Sequence, residues 1–140
     1  MNIKVVDVQR VFAESKPADA ARKHLADVQG TLKKGLDDFV ALYKDRVASP
    51  DAQRSIAQAR NRLQQQMKVE QKAADAVVRK LLAEAINTWK ATHDDVDMII
   101  SREQLIFYKR EFDITGEILE IVDGLTPKFP ELPRVNINRR

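Results

Sequence analysis

The amino-acid sequence predicts a mostly helical α+β protein, with a small β-body carrying a long antiparallel helical-hairpin arm. Three observations carry that reading. Two long stretches of helix-forming residues flank a break at Ser49-Pro50-Asp51. Short β-branched runs occur only towards the two ends of the chain. Charged residues make up 32% of the 140 residues while aromatics reach only 6%, with four Gly and five Pro, which fits long helices over a thin core.

The elements come in this order. Residues 3–8, IKVVDV, form a β-branched run that reads as a strand. QRVFAES then reads as one or two helical turns ending before Pro17. From Pro17 to about residue 48 only Gly30 and Gly35 interrupt good helix formers. The apolar series Leu25, Val28, Leu32, Leu36, Phe39, Tyr43 has spacings of 3 and 4 and an eleven-residue echo, the period of a straight or slightly right-handed coil. Pro50 pushes Ser49 out of the helical region. Ser49 therefore suits an N-cap, Pro50 the first helical position, and Asp51 the positive helix end. One helix ends near Val47, a second starts at Pro50, and so short a link requires an antiparallel return.

The second helix is expected to run to about Thr92 along a seam of Leu63, Met67, Ala74, Val78, Leu81, Ala85 and Trp89. Some 43 residues at about 1.5 Å each span roughly 65 Å, more than the roughly 30 Å of a compact domain of this length. The hairpin should therefore project, its seam thin towards the tip and thicker between Val77 and Trp89. VDMIIS at residues 96–101 and QLIFY at 104–108 read as second and third strands. DITGEILEIVDGL reads as a last helix, with Thr115 as cap, Ile114 and Leu119 as staple, and Gly124 as a left-handed end. The tail has Pro127, Pro130 and Pro133 three apart and should be extended. The expected organisation is thus a body from residues 1–16 and 94–125, an arm from 17–93 with its tip near 47–51, and a Pro-rich basic tail from 126–140. About three short strands are too few to bury a sheet. Consecutive apolar residues (Met98, Ile99, Ile100; Leu105, Ile106, Phe107) imply that other copies of the chain complete the body.

Charge is segregated. Residues 16–68 carry eleven Lys/Arg against six Asp/Glu, residues 94–125 carry three against nine, and the last fifteen return to a net +3. The chain lacks Cys, which rules out disulfides and thiolate chemistry. No apolar run approaches the roughly 18 residues of a membrane span. Residues 3–8 are too short for a signal peptide and include Lys4 and Asp7, so the compartment stays open on composition alone. His24 and His93 read as exposed helical histidines without partners at ligand spacing. Asp94, Asp95 and Asp97 lack the glycine and terminal glutamate of a calcium loop and read as a helix end and strand start. No phosphate loop or nucleophile elbow occurs, and Trp89 reads as core. No catalytic site, metal site or cofactor is expected. The basic arm invites nucleic acid, but Asp27, Asp37, Asp38 and Asp45 interleave its cations and stacking aromatics are missing from the tip.

IKVVDVQRVFAES, a long charged hairpin, then DMII, IFY and DITGEIL together resemble the Skp/OmpH family of periplasmic outer-membrane-protein chaperones. The most specific pieces are Val6-Asp7-Val8 with Arg10 and Val11, and Tyr108 followed by Asp113-Ile114-Thr115. The resemblance implies a homotrimer whose β-body carries three arms around a cavity for unfolded outer-membrane proteins, an ATP-independent holdase in the periplasm. Scattered apolar and cationic side chains would suit such clients: Leu32, Leu36, Phe39, Leu63 and Met67 among Lys33, Lys34, Arg60, Arg62 and Lys68. Arg54 shares that setting. An anionic membrane surface is a further partner for so basic an arm. Two alternatives remain at this level: a cytoplasmic location, and a coiled-coil scaffold that binds one folded partner.

Overall fold

Strand β1 (Ile3–Val6) stops where Asp7 turns the chain into helix α1 (Val8–Glu14). The Asp7 carboxylate accepts the Arg10 N–H at 3.1 Å and so caps α1. Helix α2 (Lys16–Ala41) follows at once. Ser15 accepts the Ala18 N–H at 3.2 Å, and Asp123 accepts the Lys16 N–H at 2.7 Å. Helix α3 (Pro50–Lys90), strand β2 (Met98–Ser101) and helix α4 (Thr115–Asp123) complete the regular structure, with 3₁₀ turns at Arg102–Gln104 and Arg110–Phe112. This computed structural model describes residues 1–135; the expectation for the end of the tail, 136–140, lies outside them. The chain is mostly helical with a small two-stranded parallel sheet, in the register Ile3↔Met98 to Val6↔Ser101.

The chain divides into two compact units. The first comprises Met1–Arg22 and Asp75–Lys128. Its core gathers Val6, Val11, Leu82, Ala85, Trp89, Ile114, Ile118 and Val122. From Ile114, the residue at the N-cap of α4, the i, i+4 spacing to Ile118 and Val122 presents one apolar face. Leu119 packs on the same cluster. Trp89 is core, as its place on the seam implies, and its indole N–H donates to Glu117 at 2.8 Å.

Four expectations are corrected in detail. The third strand does not form: residues 105–109 are irregular, and Ile106 is fully exposed. The physical reason lies in β1, whose one edge holds β2 while the other bridges to Asp113, with the Ile114 N–H donating to the Val5 carbonyl at 2.9 Å. That leaves β1 no free edge for a third strand. Thr115 does not cap α4. Its backbone N–H donates to Asp113 Oδ1 at 2.8 Å, and its hydroxyl accepts the Asp7 N–H at 2.8 Å. Gly124 ends α4 in right-handed geometry, φ −84°, with its N–H returned to the last turn. Helix α2 stops at Ala41, short of Val47: the N–H groups of Leu42, Tyr43 and Lys44 donate to carbonyls three residues back, at 3.1, 3.0 and 3.3 Å, so the chain tightens out of α-helical bonding into turns.

The second unit comprises Lys23–Ala74 with residues 129–135. Turns at 42–49 reverse the chain, and Ser49 caps α3 by accepting the Ala52 N–H at 3.2 Å. Phe39 of α2 and Tyr43 in the turn after it pack with Ala52, Ile56 and Ala59 of α3. Further along, Leu32 and Leu36 face Leu63 and Met67. Positions rising along α2 meet positions falling along α3, which makes the hairpin antiparallel.

Candidate functional site

Alanines alternate with larger side chains along the α3 side of the hairpin seam. Ala52, Ala59 and Ala74 are buried on α3. Where larger residues return, the surface opens. Gln29, Leu32, Lys33, Leu36, Arg60, Leu63, Gln64 and Met67 line an open groove of about 260 Å³ within the second unit. Leu32 forms its floor and is buried, whereas Leu36, Leu63 and Met67 are half-buried. Lys33 and Arg60 are exposed on its rim. The arrangement offers weak apolar contact edged by exposed cations, a surface without deep shape selectivity.

Six of the ten residues singled out from sequence thus come together: Leu32, Lys33, Leu36, Arg60, Leu63 and Met67. Four do not join the groove. Lys34, Arg62 and Lys68 are exposed elsewhere on the helices, and Phe39 is buried in the hairpin core, its ring edge-on to Tyr43 at 5.4 Å. The groove includes Gln29 and Gln64, amides that the search for apolar and cationic residues passed over.

A second surface lies in the first unit. Phe107 is 80% exposed, and Met1, Met98, Ile106 and Phe112 are also exposed. Met1, Ile3, Val5, Ile100, Leu105, Phe107, Tyr108 and Phe112 line a largely apolar depression of about 450 Å³. Exposed apolar area of this kind marks an interaction surface. Beside it, Asp113 ties the network together. Burial pushes its carboxyl up, but hydrogen bonds from the Thr115 side chain and backbone and from the Tyr108 hydroxyl, with the charge of Arg10, outweigh that and hold it below its ordinary value.

The histidines are half-buried, where exposure is expected from sequence. His93 stacks on Trp89 with centroids 3.8 Å apart, and His24 stacks on Phe129 at 4.9 Å. Asp95 and Asp97 accept hydrogen bonds from Asn2, at 3.0 and 2.7 Å, and so hold the start of β1 beside β2. Among the described residues no three His, Cys, Asp or Glu side chains gather to hold a metal. Among the described residues no helix is long and apolar enough to cross a membrane.

No family model and no curated protein matches this sequence. Among solved structures, the chain is similar to the crystal structure of a candidate outer membrane chaperone, OmpH-like, from Caulobacter crescentus. The likeness covers 99% of this chain and 93% of that one, at 17% identity and a TM-score of 0.48.

Proposed function

We propose that this protein is an ATP-independent holdase chaperone that binds unfolded outer-membrane proteins between the arms of a homotrimer in the periplasm. The hairpin groove is the observation that carries the reading: half-buried Leu36, Leu63 and Met67 beneath the exposed cations Lys33 and Arg60. Such a surface holds apolar, acidic, unstructured chain and releases it, because each contact is weak. The apolar depression around Phe107 serves assembly in this reading. Phe107→Asp with Ile106→Asp should then convert the oligomer to monomer in sedimentation equilibrium.

The experiment that tests client binding reverses charge on the arm. Lys33, Lys34, Arg60 and Arg62 are all exposed, so changing them to Glu leaves packing intact. Exposed pairs contribute under about 1 kcal/mol each, and about 1.4 kcal/mol is a tenfold change in affinity. The fourfold variant should bind an unfolded β-barrel membrane protein, diluted from urea, about tenfold or more weakly. The difference should shrink in high salt as the charges are screened. Equal suppression of light scattering by parent and variant at low salt would exclude the cationic arm as the holding surface.

A further inference from the structure

Residues 129–135 belong to the same compact unit as the hairpin, and two contacts place them on α2. The Phe129 ring stacks on His24, centroids 4.9 Å apart and planes 11° from parallel. Val135 sits over Gly35 so closely that a Cβ on Gly35 would meet three Val135 side-chain carbons within 2.7 Å. The bare backbone of Gly35 is therefore a notch. Gly30 is different: a Cβ there would meet nothing within 4 Å. Between the two contacts Pro133 is half-buried, while Pro130, Glu131, Leu132 and Arg134 face outwards.

The spacing fits an extended occupant. Gly35 lies eleven positions beyond His24, an advance of roughly 17 Å along a helix. Val135 lies six positions beyond Phe129, roughly 19 Å in polyproline-like chain. The tail runs alongside α2 in the same direction, anchored by an aromatic side chain at one end and a β-branched one at the other. Nothing in this seat reads sequence between the anchors. An extended segment with an aromatic and an aliphatic residue six apart presents both on one side, because side chains alternate with period 2. The strands of membrane β-barrels, apolar at alternate positions with aromatic girdles, have that pattern.

We propose that the α2 face from His24 to Gly35 is a binding site for extended apolar-alternating chain. The tail is its resident occupant, and a client strand displaces it. The identity of the client rests on the holdase reading. The resident is imperfect by construction. His24, stacked under the Phe129 ring, keeps a buried Nε2 without a hydrogen-bond partner. An occupant that brings a polar group to this nitrogen satisfies it, which favours exchange.

The test uses the full chain and three variants. Gly35→Ala fills the notch against both occupants, Phe129→Ala loosens only the resident, and Gly30→Ala adds the same methyl to the same helix at an open position. Tail seating is read by trypsin cleavage after Arg134, followed by mass spectrometry. Affinity is read with a labelled ten-residue peptide, alternating apolar and polar, carrying Phe and Val six apart. Gly35→Ala and Phe129→Ala should both speed cleavage, and Gly30→Ala should not. Phe129→Ala should bind the peptide about three- to tenfold more tightly, since a resident competitor weakens apparent affinity by the fraction of free sites. Gly35→Ala should bind it more weakly than the parent. Unchanged cleavage in Gly35→Ala overturns the seat, and unchanged peptide affinity in Phe129→Ala overturns the competition. If the peptide pattern holds but none of the proteins keeps an unfolded β-barrel protein from aggregating, the site stands and the holdase reading fails. If all four suppress aggregation and bind the peptide equally, the holdase reading stands and the site is overturned.

Discussion

Replacing Ile118 with alanine tests the core of the first unit most directly. Ile118 is 0% exposed, at the centre of a cluster that also holds Val11, Leu82, Trp89 and Val122. The substitution removes three carbons, and at about 0.8 kcal/mol for each buried CH₂ the transfer loss alone is about 2.4 kcal/mol. The cavity left behind raises this towards about 3–4 kcal/mol, inside the range of about 2–5 for such truncations. Ile118→Val should cost only about 1 kcal/mol. Trp89 is the chain's single tryptophan and lies in the same cluster, so its fluorescence during urea unfolding reports on this unit. With a urea slope of about 1–3 kcal/mol per molar, Ile118→Ala should lower the midpoint by about 1–4 M. Protein concentration must be held constant, because assembly would add to apparent stability. A midpoint for Ile118→Ala no lower than that of Ile118→Val would refute the packing of this core.

The lowered Asp113 carboxyl predicts an acid-sensitive term in stability. Its folded-state value lies below its unfolded value, so the contribution is full above the ordinary aspartate range and fades as pH falls through it towards the folded value. Urea midpoints measured from about pH 6 down to about pH 3 should therefore fall less steeply for Asp113→Asn than for the parent; equal slopes contradict the network with Thr115 and Tyr108. Ser49→Ala removes the acceptor for the Ala52 N–H and should cost about 1 kcal/mol. Hydrogen exchange should show the loss at the start of α3, while Ile118 and Val122 keep their protection; a loss spread evenly over both units counts against a local cap.

Much of the local structure was legible because it depends on neighbours in sequence. The break at Ser49-Pro50-Asp51 placed the start of α3 at the correct residue, since the proline excludes helix before it and the serine caps the helix after it. The apolar spacing from Val28 to Phe39 marked the buried stripe of α2, and the i, i+4 residues Ile118 and Val122 marked the buried face of α4. The groove was partly legible for the same reason. Leu32, Leu36, Leu63 and Met67 stand on seams that an antiparallel return must bring together. The contributions of Gln29 and Gln64 were not legible, because uncharged polar side chains at a groove edge obey no period.

The helices, their antiparallel return, the two strands and the separation of basic from acidic segments could all be read from the amino-acid order. They depend on backbone preferences and periods that act over a few residues. Which apolar run becomes a strand was settled only by packing, because pairing needs a free edge and β1 gives its second edge to Asp113. Packing also brought Thr115 to Asp7, 108 residues away. It made Gly35, an ordinary helical glycine to any local rule, the notch against which Val135 rests. Contacts of that kind depend on which surfaces remain unfilled once the helices have packed, and no local preference encodes them.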